Sequence, residues 1–445
     1  MQLSDDLSGL PTSLSADFIE DWNKVIRGIL SHSASTGPFL NRVLDAAPDF
    51  ALGQAIRGLS CLLLSRSEMV AVAKEAYGAA LQGAPSTMRE IAFVHALGDW
   101  LEGRPSRAAA RIQVVLTLNP RDVLAMKLIQ AIYFVMGRPD AMRSSVEGVM
   151  DATRDHPARG YLLGCHAFTL EESGEFAQAE RIGRQGVEIA PDDAWGLHAV
   201  AHVYDNTNRA RAGLEWLSGR EASWAHCNNF RYHVWWHRAL MHLDLGEYDI
   251  ALALYDADVR ADKTDDYRDI ANAASLLSRL ELEGVSVGNR WEELADLSEN
   301  RAKDGCLAFA DLHYMLALCG GHRDAAAAGL IARMQATRAN GNEAQRIIAR
   351  PGLHIAQGLQ AFSHGEYSSA WIHLREGRAD LQQIGGSHAQ RDVFDRITIE
   401  AALRGGYMDA ADNLLSDRTA RRSGRDDAYT DARRSLIDAA RVQAV

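Results

Sequence analysis

Small apolar residues recur along this chain at a fixed spacing. In "HALGDWLEGRPSRAAARIQVVLTLNP" they are Ala96, Gly103 and Ala108, followed by Pro120; in "HAFTLEESGEFAQAERIGRQGVEIAP" the same offsets give Ala167, Gly174, Ala179 and Pro191, and His95 and His166 coincide. "RALMHLDLGEYDIALALYD" repeats the register with Ala239, Gly246, Tyr248, Ala251 and Tyr255, and "QGLQAFSHGEYSSAWIHL" with Gly358, Gly365, Tyr367 and Ala370. Weaker copies follow Gly137, precede Asn208, surround Gly321 and end at Gly405–Tyr407. Each copy reads as two antiparallel helices, with small residues where they touch, a glycine in the tight turn, an aromatic after it and a proline before the next pair. Ten prolines in 445 residues and little alternation of β-branched residues leave no room for a sheet protein. The fold class expected is therefore all-α: a tetratricopeptide-like helical-hairpin solenoid of about eight repeats. It is read as one continuous domain over 1–445, able to close around a central pocket, since each repeat packs only on its neighbours.

Two segments interrupt the register, "LSGREASWAHCNNF" (217–230) and "LEGVSVGNRWEELADLSENRAKDG" (282–305). Long inserts in a compact array are disproportionately functional, which draws attention to the region between and beside them.

Composition narrows the function classes. Net charge is −12 and no long basic block occurs, so nucleic acid and anionic membrane are not expected as partners. Arg418, Arg421, Arg422 and Arg425 read as a solvated loop. The first residues, "MQLSDDLSGLPTSLSADFIEDW", carry acids where a signal peptide needs cations. Five cysteines, Cys61, Cys165, Cys227, Cys306 and Cys319, are scattered without a CxxC pair. A cytoplasmic location is the expectation. No Walker loop, GxSxG elbow or dinucleotide fingerprint is present.

Chemistry concentrates in the centre. Five of nine tryptophans (Trp195, Trp216, Trp224, Trp235, Trp236) and six of sixteen histidines fall between 195 and 242. "DDAWGLHAVAHVYD" sets His198 and His202 four apart on one helix face, and "YHVWWH" does the same for His233 and His237 on another. Both helices open their repeats, so the four imidazoles are expected on one patch of the inner face. Neutral imidazoles at HxxxH spacing can hold one divalent ion such as zinc, making His198, His202, His233 and His237 the candidate metal ligands. Alternatively His202 and His237 act as acid and base. Ala199 stands where a zincin needs glutamate. The plain alternative is that these histidines are hydrogen-bonded packing groups between helices, and His242 takes a packing position. Trp195 and Trp236 offer apolar area with a polar tip to a ligand.

Asp311 and His313, in "LAFADLHYMLAL", lie two apart, about 200° around a helix, so both do not easily face one site; Asp311 is either a helix cap or an orienting carboxylate. Ser387 and Gln390 in "GGSHAQRDVFDR" form a capping box, and Arg391 and Asp392 just after them could point inward. Asp269 and Asn272 sit in a helix feeding "SLLSRLELEG", with a weaker claim on a polar pocket.

"DDAWGLHAVAHVYD", "YHVWWHRALMHLDLGEYDIALALYD", "SLLSRLELEGVSVGNRW", "FADLHYMLAL" and "IGGSHAQRDVFD" together resemble the tetratricopeptide repeat protein 38 family over most of 190–400. The resemblance implies functional histidines at 198, 202, 233, 237 and 313 and acids at 311 and 392. It also implies an aspartate where this chain has Asn272, a departure that removes one carboxylate from a metal site. The reading that results is a protein binding a small polar or aromatic molecule in a His/Trp-rich centre. His202, His237 and Asp311 would be catalytic, in hydrolysis or bond cleavage, with Trp195, His198, His233, Trp236, His313, Arg391 and Asp392 lining the ligand. A metal cofactor and assembly into a homo-oligomer stay open. The alternative is a non-catalytic scaffold that clamps a peptide or protein in its groove.

Overall fold

The computed structural model describes residues 3–337 and 340–443. Apart from a two-residue antiparallel ribbon joining Ser4–Asp5 to Pro11–Thr12, its regular elements are helices. The chain divides into two compact units, Met1–Val200 with Gly219–Arg231, and Ala201–Ser218 with Tyr232–Val445. The first holds hairpins such as Met88–Leu101 with Pro105–Leu118 and Arg159–Glu171 with Phe176–Ile189. The second holds the Phe230–Asp244 helix from Tyr232 onward with Tyr248–Leu254, Tyr267–Leu282 with Arg290–Arg301, Ala308–Gly320 with Asp324–Ala336, Leu353–Ser363 with Tyr367–Arg378, and His388–Arg404 with Met408–Arg421. A final helix, Ala428–Gln443, ends it.

The repeated small residues do what their spacing implies. Ala96, Ala108, Ala167, Ala179, Ala239, Ala251 and Ala370 are all fully buried. A side chain at Gly183 would collide with Val200, and one at Gly358 with Leu374, because the backbones approach too closely for a larger residue. Between the two helices of a hairpin the chain turns through one left-handed residue. Gly103, Gly137, Gly174, Gly246, Gly365 and Gly406 take this role, with φ between 64° and 85°. In each case the amide of the next residue closes back on a carbonyl five residues earlier, as Arg104 does on Asp99 and Glu247 on His242.

Eleven such turns occur among the described residues, three beyond the eight that the sequence register marks. Two are built on His32 and Ser65, which are left-handed without being glycine, and the third is Gly284. Gly284 lies in the stretch 282–305, read above as an insert. That stretch is instead an ordinary second helix, Arg290–Arg301, with Trp291 buried and its indole donating to Glu281 at 3.0 Å. The left-handed conformation costs an L residue ~1 kcal/mol or more that glycine avoids. At exposed His322 (φ 53°), His322→Gly should therefore raise stability by ~0.5–1 kcal/mol, read as a higher urea midpoint at unchanged slope.

Each unit has its own apolar core. Trp22, Phe93 and Ile129 belong to the first, and Trp236, Leu276, Tyr314 and Phe394 to the second. Helix starts are capped where the sequence indicates: Ser387 and Gln390 exchange both bonds of a capping box, as do Thr87 and Glu90. The arginines read as a solvated loop require correction. The Met408–Arg421 helix carries Arg418 inward, and Arg418 and Arg422 are 2% and 7% exposed, while Arg421 and Arg425 face solvent. Carboxylates distant in sequence draw the first two in, as described below.

Candidate histidine centre

In the second unit, the end of the Ala194–Asn206 helix contributes His202, and the Phe230–Asp244 helix contributes His233 and His237 one turn apart. Each of the three offers a ring nitrogen, and these atoms lie within 4.8 Å of one another. The His202 and His237 rings are 4.2 Å apart between centroids, and His233 Nε2 stands 3.2 Å from His237 Nε2. His202 and His237 are fully buried and His233 nearly so.

The next hairpin fixes the state of His233. Asn272, on the Tyr267–Leu282 helix, places its carbonyl oxygen 2.8 Å from His233 Nδ1. That oxygen only accepts, so His233 donates through Nδ1–H, and its Nε2 lone pair is directed at His237. Burial lowers the His233 pKa to about 3, so the ring is neutral at physiological pH. Trp236 stacks on His233 with centroids 5.1 Å apart, its own ring covered by the Arg279 guanidinium at 5.6 Å. The indole Nε1 of Trp236 is buried without a hydrogen-bond partner among the described residues.

Several other sequence candidates have partners of their own. His313 is buried and donates Nδ1–H to the Phe309 carbonyl at 2.8 Å, packed on Phe309 and Phe394; burial lowers its pKa to about 4. Asp311 does not orient a histidine. Its carboxylate pairs with Arg333 at 2.7 Å, and burial lifts its pKa to about 6. Two residues along a helix turn its side chain away from the face that carries His313. His242 pairs with Glu247 at 2.7 Å. Asp392 sits in an ion-pair network, and Arg391 reaches the carbonyls of Gly385 and Gly386.

His198 and Trp195 belong to the first unit, where both pack among aromatic rings. His198 donates Nδ1–H to the Trp195 carbonyl at 3.0 Å and packs on Phe168 and Phe230. Trp195 touches Phe168, Phe230 and His32, with the Lys127 ammonium 5.1 Å from its ring centre. Sequence reasoning reached Asn272 as a weak pocket candidate and as a departure from a family pattern, and it missed Arg279. An arginine inside the apolar run "SLLSRLEL" was the available signal for a buried cation.

Stacked helical hairpins with left-handed turns make this a helical-repeat protein of the tetratricopeptide type. No protein-family model matches the chain. Among solved structures it is similar to the human IFIT1 dimer with PPP-AAAA, at a TM-score of 0.41 and 14% identity over 98% of this chain and 96% of that one. It is also similar to yeast Tom70, at 0.35 and 11% over 95% and 88%, and to Naa15/Naa10 bound to HypK-THB, at 0.26 and 12% over 90% and 68%. The expectation that partners are small molecules, with nucleic acid excluded, is corrected by these structures, which include PPP-AAAA and protein assemblies. The physical reason is that net charge is a sum over the chain and does not describe a local surface. Among the described residues, no helix is long and apolar enough to cross a membrane.

Proposed function

We propose that the second unit is a metal-binding unit in which His202, His233 and His237 hold one divalent ion, zinc by the character of its ligands. The observation that carries this is the His233–Asn272 bond together with the 3.2 Å approach of two imidazole nitrogens. Zinc–nitrogen bonds of ~2.0–2.1 Å at a tetrahedral angle put neighbouring ligand nitrogens ~3.3 Å apart. An outer hydrogen bond that fixes ring orientation and tautomer is the usual support of a metal-bound histidine. Where water or substrate takes the position beside these three ligands, hydrolysis is the reaction class this reading favours. A zinc ion there supplies Lewis acidity toward a carbonyl or phosphoryl oxygen. As ligands His202 and His237 do not shuttle protons, and Trp236 closes one side of the centre.

The histidine motifs also support membership of the tetratricopeptide repeat protein 38 family. The absence of disulfides among the five cysteines supports a reducing, cytoplasmic setting. A second reading, a scaffold for a protein partner, is favoured by Val114 and Leu118. They lie four apart on one helix face and are 58% and 73% exposed.

The test is the metal content of the full-length protein, purified without chelator, by mass spectrometry. About one zinc per chain is expected, reduced at least tenfold in His237→Ala and in His202→Ala with helical circular dichroism retained. A metal-free protein that takes up no zinc in calorimetric titration overturns the metal reading and leaves the scaffold. Full zinc in both folded variants would overturn the ligand assignment.

A further inference from the structure

The second unit contains a cleft of about 490 Å³ remote in sequence from the histidines of the Phe230–Asp244 helix. Its walls are the Leu381–Ile384 turn, the first turn of the His388–Arg404 helix and the last turns of the Met408–Arg421 helix, and Arg378 and Asn206 also face it. Five arginines line it, Arg378, Arg391, Arg418, Arg421 and Arg422, against the three carboxylates of Asp392, Asp395 and Asp417. Among the lining residues the guanidinium groups outnumber the carboxylates by two, and behind the wall Asp205, Asp244 and Asp427 pair with Arg418 and Arg422.

The carboxylates present are already shared. Asp395 accepts from Arg378 at 2.9 Å on one oxygen and from Arg421 at 2.7 Å on the other. Asp392 accepts from Arg418 and Arg396 at 2.7 Å each, with Arg279 at 3.9 Å. Asp395 and Asp392 therefore each orient at least two guanidinium groups and balance the charge of one, while Asp417 meets Arg378 at 3.3 Å. Arg418 and Arg422 are buried and held on several sides, so they present fixed donors, while Arg378 and half-exposed Arg421 stand at the rim. Fixed guanidinium forks are suited to the tetrahedral oxygens of phosphate, and their ordering is already complete before a ligand arrives. The volume exceeds that of a single phosphate and falls in the range of organic-ligand pockets.

We propose that this cleft binds a terminal phosphate or oligophosphate group. The same chemistry is offered by a free nucleotide or by the phosphorylated end of an oligonucleotide. The proposal is independent of the histidine centre.

The experiment is calorimetric titration of the full-length protein at low salt with inorganic pyrophosphate, with adenosine triphosphate, and with a short 5′-phosphorylated single strand and its 5′-hydroxyl counterpart. Wild-type protein should bind at least one phosphorylated probe at micromolar to sub-millimolar concentration, and the 5′-hydroxyl strand at least tenfold more weakly than the phosphorylated one if the strand is the ligand. Equal binding of pyrophosphate, triphosphate and phosphorylated strand supports the free source. A tenfold preference for the phosphorylated strand supports the strand end. Arg421→Ala and, separately, Arg378→Ala each leave Asp395 one arginine, so both should fold with unchanged thermal midpoints. Each should lose at least fivefold in affinity. No binding of any phosphorylated probe to wild type, equal binding of the two strands with no binding of the small probes, or wild-type affinity in both folded variants overturns the proposal.

Discussion

Replacing Arg418 by methionine should destabilise the protein by about 3–5 kcal/mol, the cost of removing one partner from a buried ion pair. Arg418 is 2% exposed, and its guanidinium donates to Asp392 at 2.7 Å, to Asp427 at 2.7 Å and to Thr430 at 3.2 Å. It also lies 5.2 Å from the ring centre of Tyr429, which Arg396 and Arg433 approach at 4.4 and 4.1 Å. These contacts attach the final helix, Ala428–Gln443, to the hairpin before it. Methionine keeps much of the volume and leaves Asp392 to Arg396 and Asp427 to Arg422, the latter at 3.4 Å.

The same network sets the acid limb of stability. The surrounding arginines, Arg418 foremost, outweigh the opposing effect of burial and hold the Asp392 carboxyl well below its ordinary 3.8; Asp427 is lowered in the same way. In the window below about pH 4 the unfolded chain binds protons that the folded chain does not. The stabilisation is therefore complete above the unfolded value and is lost as pH falls toward the folded one. Urea unfolding followed by circular dichroism at pH 7 and pH 3.5 checks both statements. The variant should show a lower midpoint at pH 7 and a smaller further loss on acidification. An unchanged midpoint would show that the pairs only offset their own desolvation.

Asn272 should control zinc affinity without touching the ion. Asn272→Leu removes the acceptor that fixes the His233 tautomer and is expected to weaken zinc ~10–100-fold. Asn272→Asp replaces a neutral acceptor by a carboxylate, the commoner partner of a metal-bound histidine. It should strengthen zinc binding by about tenfold, because the negative charge makes the imidazole a better donor. Competition against a chromophoric zinc chelator measures both. The two variants moving in opposite directions is the signature of an outer-sphere role. A loss in both, with the fold intact, would show that the amide and not its acceptor oxygen is what the centre requires.

The repeat was legible because its constraints are local. A glycine takes a left-handed turn without strain, an alanine fits where two helices touch, and both recur at fixed offsets from their neighbours in sequence. The turns at His32 and Ser65 escaped that reading, since neither residue type advertises a left-handed conformation. Helical spacing likewise paired His198 with His202 and His233 with His237, because one turn of helix is a property of the segment itself.

Spacing could not decide which partners those side chains meet. Asn272 reaches His233 across thirty-nine positions, and Asp311 meets Arg333 instead of a histidine. Arg418 and Arg422 look like surface charge because charge density along a sequence carries no record of depth. Their burial depends on Asp392, twenty-six positions earlier, and on a final helix that closes over them. The sequence by itself determined the helices, their pairing and the candidate histidines, all consequences of short-range geometry. Tertiary structure alone decided the tautomer of His233, the partners of Asp311 and the arginine-lined cleft, because electrostatic and hydrogen-bonding partners are chosen by distance in space.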